Sequence, residues 1–368
     1  MRFDPYKFPY RGWAWWILHD LRQHSKDQHQ IALLGSSLMV SAVSGCDAIY
    51  LNHDLDMTSY HKAQYLDHLL GAKHGTTFDT FDLSIPGQIP SDAYMMLRAM
   101  TAIAAPPKVV IYGIAPRDFI DSTLSSPLDT EAFHYLSRIV DLNDIAAGLY
   151  QEPLTKFNRF LEQHIYFYGH SLDFQISATI ALNNAINMFV PKPWTAHNFT
   201  HWDRTKLLPH YHAGELYPTA MQASPHAEKF CRHDFIDNTR DYTDRYKNPR
   251  PQVFNTQLFF LGQLANLCHK DGIELILVNM PITDKNVSIL TPTRYIDYLN
   301  KLRAFGRAND VSIFDLADFK KYTREDFHDL VHLNGYGGRK FFDSLGDAIG
   351  KDKRVAELLD SSAATISE

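Results

Sequence analysis

Five short apolar runs, each close to a turn residue and a helical pattern, restrict the fold of this chain more than any other feature. They cover residues 30–34, 77–85, 108–112, 273–278 and 311–314. Apolar runs of this length are typical of strands that are buried on both faces of a parallel sheet. Because helical patterns lie between them, the sequence predicts an α/β fold with a three-layer, doubly wound parallel sheet.

The predicted helices occupy the stretches between these runs. Apolar spacing and turn residues indicate helices over 36–43, 58–70, 91–100, 253–268 and 295–308, and a last helix after Asn334-Gly335. We expect Gly71 to end the second of these helices, as glycine often does. Parallel sheets bind ligands beyond the carboxyl ends of their strands, so the turns that follow the strands are where functional residues are expected.

The middle of the chain differs from the rest, because it shows little strand character and many prolines cluster toward its end. Its helical patterns cover 131–140, 142–150 and 172–189. We interpret it as a helical insertion with long loops rather than as a separate domain. The predicted organisation is an aromatic-rich N-terminal extension, an α/β core in two parts, the insertion between those parts, and a C-terminal tail: 1–27, 28–118 with 252–350, 119–251, and 351–368. The tail is polar after Leu359, and we expect it to be frayed there.

The charge of the chain argues against a nucleic-acid partner. The chain has 36 Lys and Arg against 42 Asp and Glu, and the basic residues are scattered rather than clustered. Its three cysteines, Cys46, Cys231 and Cys268, are far apart and odd in number. We therefore expect no disulfide, burial of all three as small apolar residues, and a reducing, cytoplasmic location.

The tryptophan-rich segment 12–18 allows two interpretations. No apolar run is long enough to span a membrane, and the first residues do not show the pattern of a secretory signal. Tryptophan is favoured at membrane interfaces, so the segment could hold the protein at a membrane surface as a peripheral partner. The interpretation that we favour is an N-terminal helix packed on the domain.

A serine-containing turn, Gly35-Ser36-Ser37-Leu38, directly follows the first predicted strand. A serine at a strand-to-helix turn can expose its hydroxyl, and its N–H lies at a helix N-terminus, where developing negative charge is stabilised. Serine is also a common helix cap, so the turn has a purely structural alternative interpretation.

Asp329 and His332 precede the last predicted helix on a single loop. A serine hydroxyl is a poor nucleophile until an imidazole accepts its proton, and the imidazole needs an acceptor that fixes its tautomer. Such a loop can supply both groups together. Ser37 is thus the candidate nucleophile, His332 its candidate general base and Asp329 the residue that would orient the base. An Asp-x-x-His pair on its own is also common by chance.

Together these motifs resemble the conserved blocks of the SGNH (GDSL-like) hydrolase superfamily. The turn at Ser37 resembles its Gly-Asp-Ser-Leu block with Ser36 in place of Asp, and Gly87 resembles the glycine of its second block. Asp329-x-x-His332 resembles its final block. The resemblance covers about 28–118 and 252–350, and it implies a flavodoxin-like fold.

The resemblance also implies an activity, namely a serine-dependent esterase or O-acyltransferase that forms an acyl-enzyme. The N–H groups of Ser37 and Gly87 would form its oxyanion hole. Within the superfamily the chain is most similar to the divergent bacterial branch of DltD-like and DUF1574 proteins. That branch implies a substrate that is an acylated saccharide or a cell-envelope polymer, an acyl donor and a hydroxyl acceptor of carbohydrate type as partners, and no cofactor or metal.

This chain departs from the family pattern at the third block. The family has Gly-x-Asn-Asp there, with the Asn side chain as an oxyanion donor, whereas Ala115 occupies that position here. Loss of one such donor typically costs about 10²–10³ in rate. Arg117 and Asn279 are candidates to replace it. Arg117 could instead bind an anionic substrate group, or be a solvated side chain in a turn that Asp118 caps.

Two further interpretations remain open at this point. His328 and His332 have the spacing of a zinc-binding helix, although Asp329 is shorter than the usual Glu and a glycine-rich stretch follows. Histidine pairs at 197 and 201 and at 210 and 212 lack a Cys or carboxylate that would complete a metal site. The non-enzymatic alternative is a catalytically weak scaffold or binding module in envelope polysaccharide modification, which the absent third-block Asn allows.

Overall fold

A parallel sheet of five strands forms the centre of the protein in a computed structural model that describes residues 12–25, 29–123, 130–146, 153–189, 222–224 and 235–366. Its strands are β1 Ile31–Gly35, β2 Thr80–Asp82, β3 Val109–Ile114, β4 Glu274–Asn279 and β5 Ser312–Asp315. They lie in the order β2-β1-β3-β4-β5, and every neighbouring pair is parallel. This is the strand order of flavodoxin-like, doubly wound folds, so the predicted fold class is confirmed.

The helices pack as two groups, as a three-layer fold requires. The helices are α1 Trp13–Gln23, α2 Ser37–Leu51, α3 Gln64–His74, α4 Pro90–Ile103, α5 Arg117–Ile120, α6 Glu131–Leu136, α7 Pro153–His164, α8 Tyr166–Gly169, α9 Ser171–Asn187, α10 Thr239–Tyr246, α11 Pro251–Asp271, α12 Asp284–Leu290, α13 Pro292–Asn309, α14 Gly335–Lys351 and α15 Lys353–Ile366. One group contains α2, α3, α14 and α15, and the other contains α1, α4, α6 and α11.

Helix α1 contains the tryptophan-rich segment, and it packs on the core. Trp15 and Trp16 are 5% and 9% exposed, and Ile17 and Leu18 are fully buried beside them. The arrangement is that of a helix packed on the domain. Among the described residues, no helix is both long and apolar enough to span a bilayer.

The predicted end of a helix at Gly71 is wrong. Helix α3 continues through Gly71 and ends at Gly75, which has a φ of 68°. Gly71 lies at a close approach instead, because a Cβ there would lie 2.7 Å from the backbone oxygen of Thr76. At the C-terminal end, 351–368 contains α15, whose Val355 and Leu359 are fully buried in the core.

The insertion contributes to the core through its two ends, where Phe133 and Leu136 of α6 and Tyr242 and Tyr246 of α10 are buried. No described residue between 153 and 189 belongs to the hydrophobic core cluster, and Leu154, Phe167 and Phe189 are 67%, 73% and 85% exposed. An ion pair between Arg138 and Asp173 links α9 to the chain after α6. The predicted helix over 142–150 lies partly outside the described residues.

The two cysteines that the structure describes are free and buried. Cys46 is 1% exposed and Cys268 is 0% exposed, and burial raises the pKa of both thiols. They are therefore small, unreactive core residues, as predicted. Cys231 lies outside the described residues.

Glycines allow α2 and α14 to approach each other closely. A Cβ on Gly338 would lie 2.5 Å from the backbone oxygen of Ala42, and one on Gly335 would lie 2.6 Å from the backbone oxygen of Gly45. Helix α2 begins at Ser37, and α14 begins directly after the loop that carries His332. The glycine contact therefore fixes the distance between the two parts of the candidate site.

Replacing Gly338 with alanine is expected to lower the free energy of unfolding by about 1–3 kcal/mol, because the new methyl group overlaps the backbone of α2. Gly350→Ala is the matched control on the same helix, since a Cβ there meets nothing within 4 Å. That control is expected to stabilise the protein by about 0.5–1 kcal/mol through helix propensity. Urea unfolding measures both variants, and equal effects would contradict the close approach.

Candidate active site

Ser37 is the first residue of α2, directly after β1. Ser36 before it is the N-cap, with an extended backbone. The Gly35 N–H donates to Oε1 of Gln88 at 2.7 Å, and the Ile85 N–H donates to the Gly35 oxygen at 3.1 Å. The turn that carries Ser37 is therefore tied by hydrogen bonds to the loop that follows β2.

A tight loop from 327 to 333 carries Asp329 and His332, the predicted orienting carboxylate and general base. The His328 N–H donates to the His332 oxygen at 2.8 Å, which closes the loop. Thr283 Oγ1 donates to the Leu330 oxygen at 2.8 Å, and Asn238 Oδ1 accepts from the Leu330 N–H at 3.2 Å. The loop is thus held on both sides by neighbouring segments.

The structure brings Ser37, His332 and Asp329 together in one hydrogen-bonded chain. His332 Nε2 lies 2.7 Å from Ser37 Oγ, and His332 Nδ1 lies 2.7 Å from Asp329 Oδ2. The other carboxylate oxygen, Oδ1, accepts the N–H groups of Val331 and His332, each at 2.9 Å. This arrangement can hold the imidazole with its proton on Nδ1 and present Nε2 to the serine hydroxyl.

The charge of Asp329 is stabilised at this position. Burial raises the pKa of its carboxyl, but the hydrogen bond and charge of His332 and the two backbone N–H groups lower it below its ordinary value. The carboxyl is 7% exposed, so few water molecules compete for these hydrogen bonds. Asp329 is therefore an anion that can orient the imidazole and stabilise its protonated form.

The geometry does not favour the zinc interpretation of His328 and His332. The loop that carries them is not helical, so they do not share a helix face. His332 already uses both ring nitrogens, on Ser37 and Asp329. Within the described ranges, no three His, Cys, Asp or Glu side chains are grouped as metal ligands. The histidines at 197, 201, 210 and 212 lie outside those ranges.

Gly87 lies on the loop between β2 and α4, with a φ of 82° that favours glycine. A Cβ on Gly87 would lie 3.8 Å from Nη2 of Arg117, and no other atom outside its chain neighbours lies within 4 Å. The side of Gly87 on which a Cβ would lie is therefore open, and one nitrogen of the Arg117 guanidinium borders this open space.

Two carboxylates hold the Arg117 side chain in place. Its Nε donates to Asp121 Oδ2 at 3.1 Å, and its Nη1 lies 3.7 Å from Asp118 Oδ1. Burial lowers the pKa of Arg117, but the charges of Asp118 and Asp121 raise it above its ordinary value, so the guanidinium stays protonated. Arg117 is 12% exposed, which does not fit a solvated turn residue.

Asp118 lies beside Arg117 and is almost fully buried. Its Oδ2 accepts the Ala115 N–H at 2.8 Å, which fixes the backbone where the family has its third-block Asn. Burial raises the pKa of Asp118 to about 7, although the charge of Arg117 and this hydrogen bond act in the opposite direction. The carboxyl therefore takes up a proton near neutral pH.

Asn279 is not available as an oxyanion donor, in contrast to the auxiliary role considered for it from the sequence. Its Nδ2 donates to Tyr295 at 3.0 Å and to Asp315 at 2.8 Å, and its Oδ1 accepts from Tyr298 at 3.3 Å. The side chain is fully buried among these partners. Asn279 is a structural link between β4, α13 and β5.

Sequence reasoning missed the residues that position the site. Gln88 supports the serine turn, and it also donates to the Leu83 oxygen at 3.0 Å. Asn238 and Thr283 fix the loop of Asp329, and Asn334 caps α14 through the N–H groups of Tyr336 and Gly337. The only available indication for Gln88 was its position directly after Gly87.

Comparisons with known proteins find similar structures but no similar sequences. No protein-family model matches the chain, and no curated protein matches it either. A solved structure from Bacteroides fragilis, described as a "putative acylhydrolase", is 12% identical, with a TM-score of 0.38 over 93% of this chain and 98% of its own. A structure from Bacteroides thetaiotaomicron, described as a GDSL-like lipase, is 10% identical, with a TM-score of 0.38 over 92% of this chain and 99% of its own.

Proposed function

We propose that the protein is a serine-dependent ester hydrolase that works through an acyl-enzyme on Ser37. The observation that carries the proposal is the unbroken chain of hydrogen bonds from Ser37 Oγ through His332 to Asp329, with 2.7 Å at each step. A nucleophile, a base and an orienting carboxylate within hydrogen-bond reach are the geometric requirement for acyl transfer.

In the proposed first step, His332 Nε2 accepts the Ser37 proton while Oγ attacks the carbonyl carbon of the ester. The carbonyl oxygen becomes an oxyanion, which the N–H groups of Ser37 and Gly87 stabilise together with the N-terminal end of α2. The ester C–O bond then breaks, and His332 gives its proton to the departing alkoxide. A water molecule attacks the acyl-enzyme by the same route and restores Ser37.

Arg117 is proposed as the donor that replaces the third-block Asn. Its Nη2 borders the open space above Gly87, and its Nε and Nη1 are oriented toward Asp121 and Asp118. A fixed cation beside the developing negative charge lowers the energy of the transition state more than that of the neutral ester.

The molecule that accepts the acyl group from Ser37 determines whether the protein is a hydrolase or a transferase. A carbohydrate hydroxyl that takes the place of water would make the protein an O-acyltransferase, and an acylated saccharide or envelope polymer is the substrate class that the sequence resemblance suggests. Helices α7 to α9 expose aromatic side chains such as Tyr166 and Phe167, which could stack on sugar rings. Incubation of an acetylated saccharide with and without a free oligosaccharide acceptor tests the two reactions side by side, because hydrolysis releases acetate and transfer acetylates the acceptor.

The direct test of the hydrolase proposal is reaction of the full chain with a fluorophosphonate, followed by intact-protein mass spectrometry and peptide mapping. A single adduct on Ser37 is expected, because only an activated serine reacts at a useful rate. A folded protein without an adduct would refute the proposal and favour the scaffold alternative, which the absence of an Asn at Ala115 would then explain.

Replacing Arg117 with alanine is expected to lower kcat for a p-nitrophenyl ester by about 10–10³-fold with a smaller change in KM, because the donor acts mainly in the transition state. Arg245→Ala is the control, since Arg245 also pairs with Asp121 and would disturb the same carboxylate. Equal losses of kcat in both variants would contradict a direct role for Arg117.

A further inference from the structure

Helix α10 connects two segments of the candidate active site. At its N-terminal end, Oδ1 of Asn238 accepts the Leu330 N–H at 3.2 Å, on the loop that carries the general base. Near its C-terminal end, Arg245 pairs with Asp121, the carboxylate that also holds Arg117. The helix is therefore fixed at one end to the loop of the general base and at the other end to the turn of the proposed oxyanion donor.

Tyr242 lies on the same face of α10 as these two anchors. It follows Asn238 by four residues and precedes Arg245 by three, which is the spacing of neighbours on one side of a helix. Tyr242 is 6% exposed, so its ring packs against the protein rather than facing solvent. The side chain is therefore directed toward the region between the loop of the general base and the turn of Arg117.

Charges from both segments act on the Tyr242 phenol. Burial raises its pKa, the charge of Arg117 lowers it, and the charge of Asp329 raises it. The result lies above the ordinary value, so the hydroxyl keeps its proton at neutral pH. Tyr242 is thus a neutral hydrogen-bond donor close to both Arg117 and the carboxylate that orients His332.

The Tyr242 hydroxyl has no hydrogen-bond partner among the described residues, in contrast to tyrosines that pack nearby. Tyr246, one turn further along α10, donates to Asn286 at 3.0 Å, and Tyr298 donates to Asn279 at 3.3 Å. The Tyr242 hydroxyl is not among the fully buried polar atoms that lack a partner, so it reaches accessible space. A buried ring with an open polar tip is suited to bind a polar group of a ligand.

The proposed mechanism determines which part of an ester would meet this hydroxyl. His332 gives its proton to the departing alkoxide, so the alcohol part of the ester lies beside His332. Because α10 is bonded to the loop that carries His332, a polar group of α10 that reaches open space there faces the alcohol part. An alcohol with a further hydroxyl group offers the phenol a partner, whereas a plain alkyl alcohol leaves the phenol unpaired.

We propose that Tyr242 is a substrate-binding residue that selects esters of polyhydroxylated alcohols, through a hydrogen bond from its hydroxyl to a hydroxyl of the alcohol part. The inference rests on the proposed function, and it gives α10 of the insertion a role in substrate selection. Glycerol esters and saccharide esters share this chemistry. One such hydrogen bond is expected to contribute about 3–10-fold to kcat/KM.

The test compares kcat/KM of the full chain for propyl acetate, glycerol monoacetate and a monoacetylated methyl glucoside, which carry the same acyl group. The wild-type protein is expected to prefer at least one hydroxylated ester over propyl acetate by about fivefold or more. The better of the two hydroxylated esters identifies glycerol or sugar as the alcohol. Rates are referred to active sites that are counted by the fluorophosphonate adduct on Ser37.

Tyr242→Phe keeps the ring and removes only the hydroxyl. It is expected to lower the preference for the hydroxylated ester by about 3–10-fold and to leave kcat/KM for propyl acetate within about twofold of the wild type. Tyr246→Phe is the matched control, because it removes the same atom one turn away, where the hydroxyl bonds to Asn286. The control is expected to keep the preference of the wild type.

Three results would overturn this role of Tyr242 while an adduct on Ser37 leaves the proposed function standing. They are equal kcat/KM for all three esters or no cleavage of either hydroxylated ester in the wild type, an equal loss on every ester in Tyr242→Phe, and the same change of preference in both variants. If no ester is cleaved and Ser37 carries no adduct, the proposed function fails and the role of Tyr242 fails with it.

Discussion

Replacing Ser37 with alanine is expected to lower kcat/KM for a p-nitrophenyl ester by at least about 10⁴-fold while the protein stays folded. The hydroxyl is the only atom lost, and without it no acyl-enzyme can form. The remaining turnover would come from the oxyanion donors and from bound water. Because the side chain makes one hydrogen bond, to His332, the free energy of unfolding is expected to change by only about 0.5–1.5 kcal/mol.

Ser41→Ala is the matched control for this prediction. It removes the same atom from the same helix, where the Ser41 hydroxyl donates to the Leu38 oxygen at 3.1 Å. Its kcat/KM is expected to stay within about twofold of the wild type, since the Ser41 hydroxyl bonds to the backbone of its own helix rather than to His332. Turnover retained in Ser37→Ala, with an unchanged far-ultraviolet circular dichroism spectrum, would show that another residue is the nucleophile.

The sheet could be predicted because each of its strands is a continuous run of apolar residues in the sequence. The segment Val109–Ile114 is buried at every position, so its pattern needs no knowledge of its neighbours. The same reasoning placed the serine turn and the loop of Asp329 at the carboxyl ends of strands, where a parallel sheet brings distant segments together. The pairing of Ser37 with Asp329 and His332 needed more than this reasoning, because each motif alone is common, and it was predicted from their combined resemblance to the SGNH blocks.

The supporting residues were not predictable, because their roles depend on three-dimensional neighbours. Nothing local distinguishes Gln88, which reaches back to Gly35, from a polar loop residue. A last helix after Gly335 was expected, but nothing local showed that the glycine at Gly338 allows α14 to contact the backbone of α2 at Ala42. Asn279 had a plausible position for an oxyanion donor, but its amide is used by tyrosines that are adjacent only in the fold.

Replacing Asp329 with asparagine is expected to lower kcat by about 10⁴-fold, because it fixes the wrong tautomer of His332. Oδ1 of Asp329 accepts two backbone N–H groups, so the oxygen of an asparagine side chain must occupy that position. The amide nitrogen then takes the place of Oδ2 and donates to His332 Nδ1. The ring proton is forced onto Nε2, which can no longer accept the proton of Ser37.

The defect of Asp329→Asn should lie in kcat with little change in KM, since the carboxylate stabilises the imidazolium only as the transition state forms. Asp326→Asn is the control, because Asp326 lies just before the same loop and bonds to Thr323 and Lys340 rather than to His332. That variant can lose stability but should keep its kcat when rates are referred to folded protein. A kcat within tenfold of the wild type in Asp329→Asn would mean that His332 does not depend on this carboxylate, and the 2.7 Å contact between them would then be a structural bond alone.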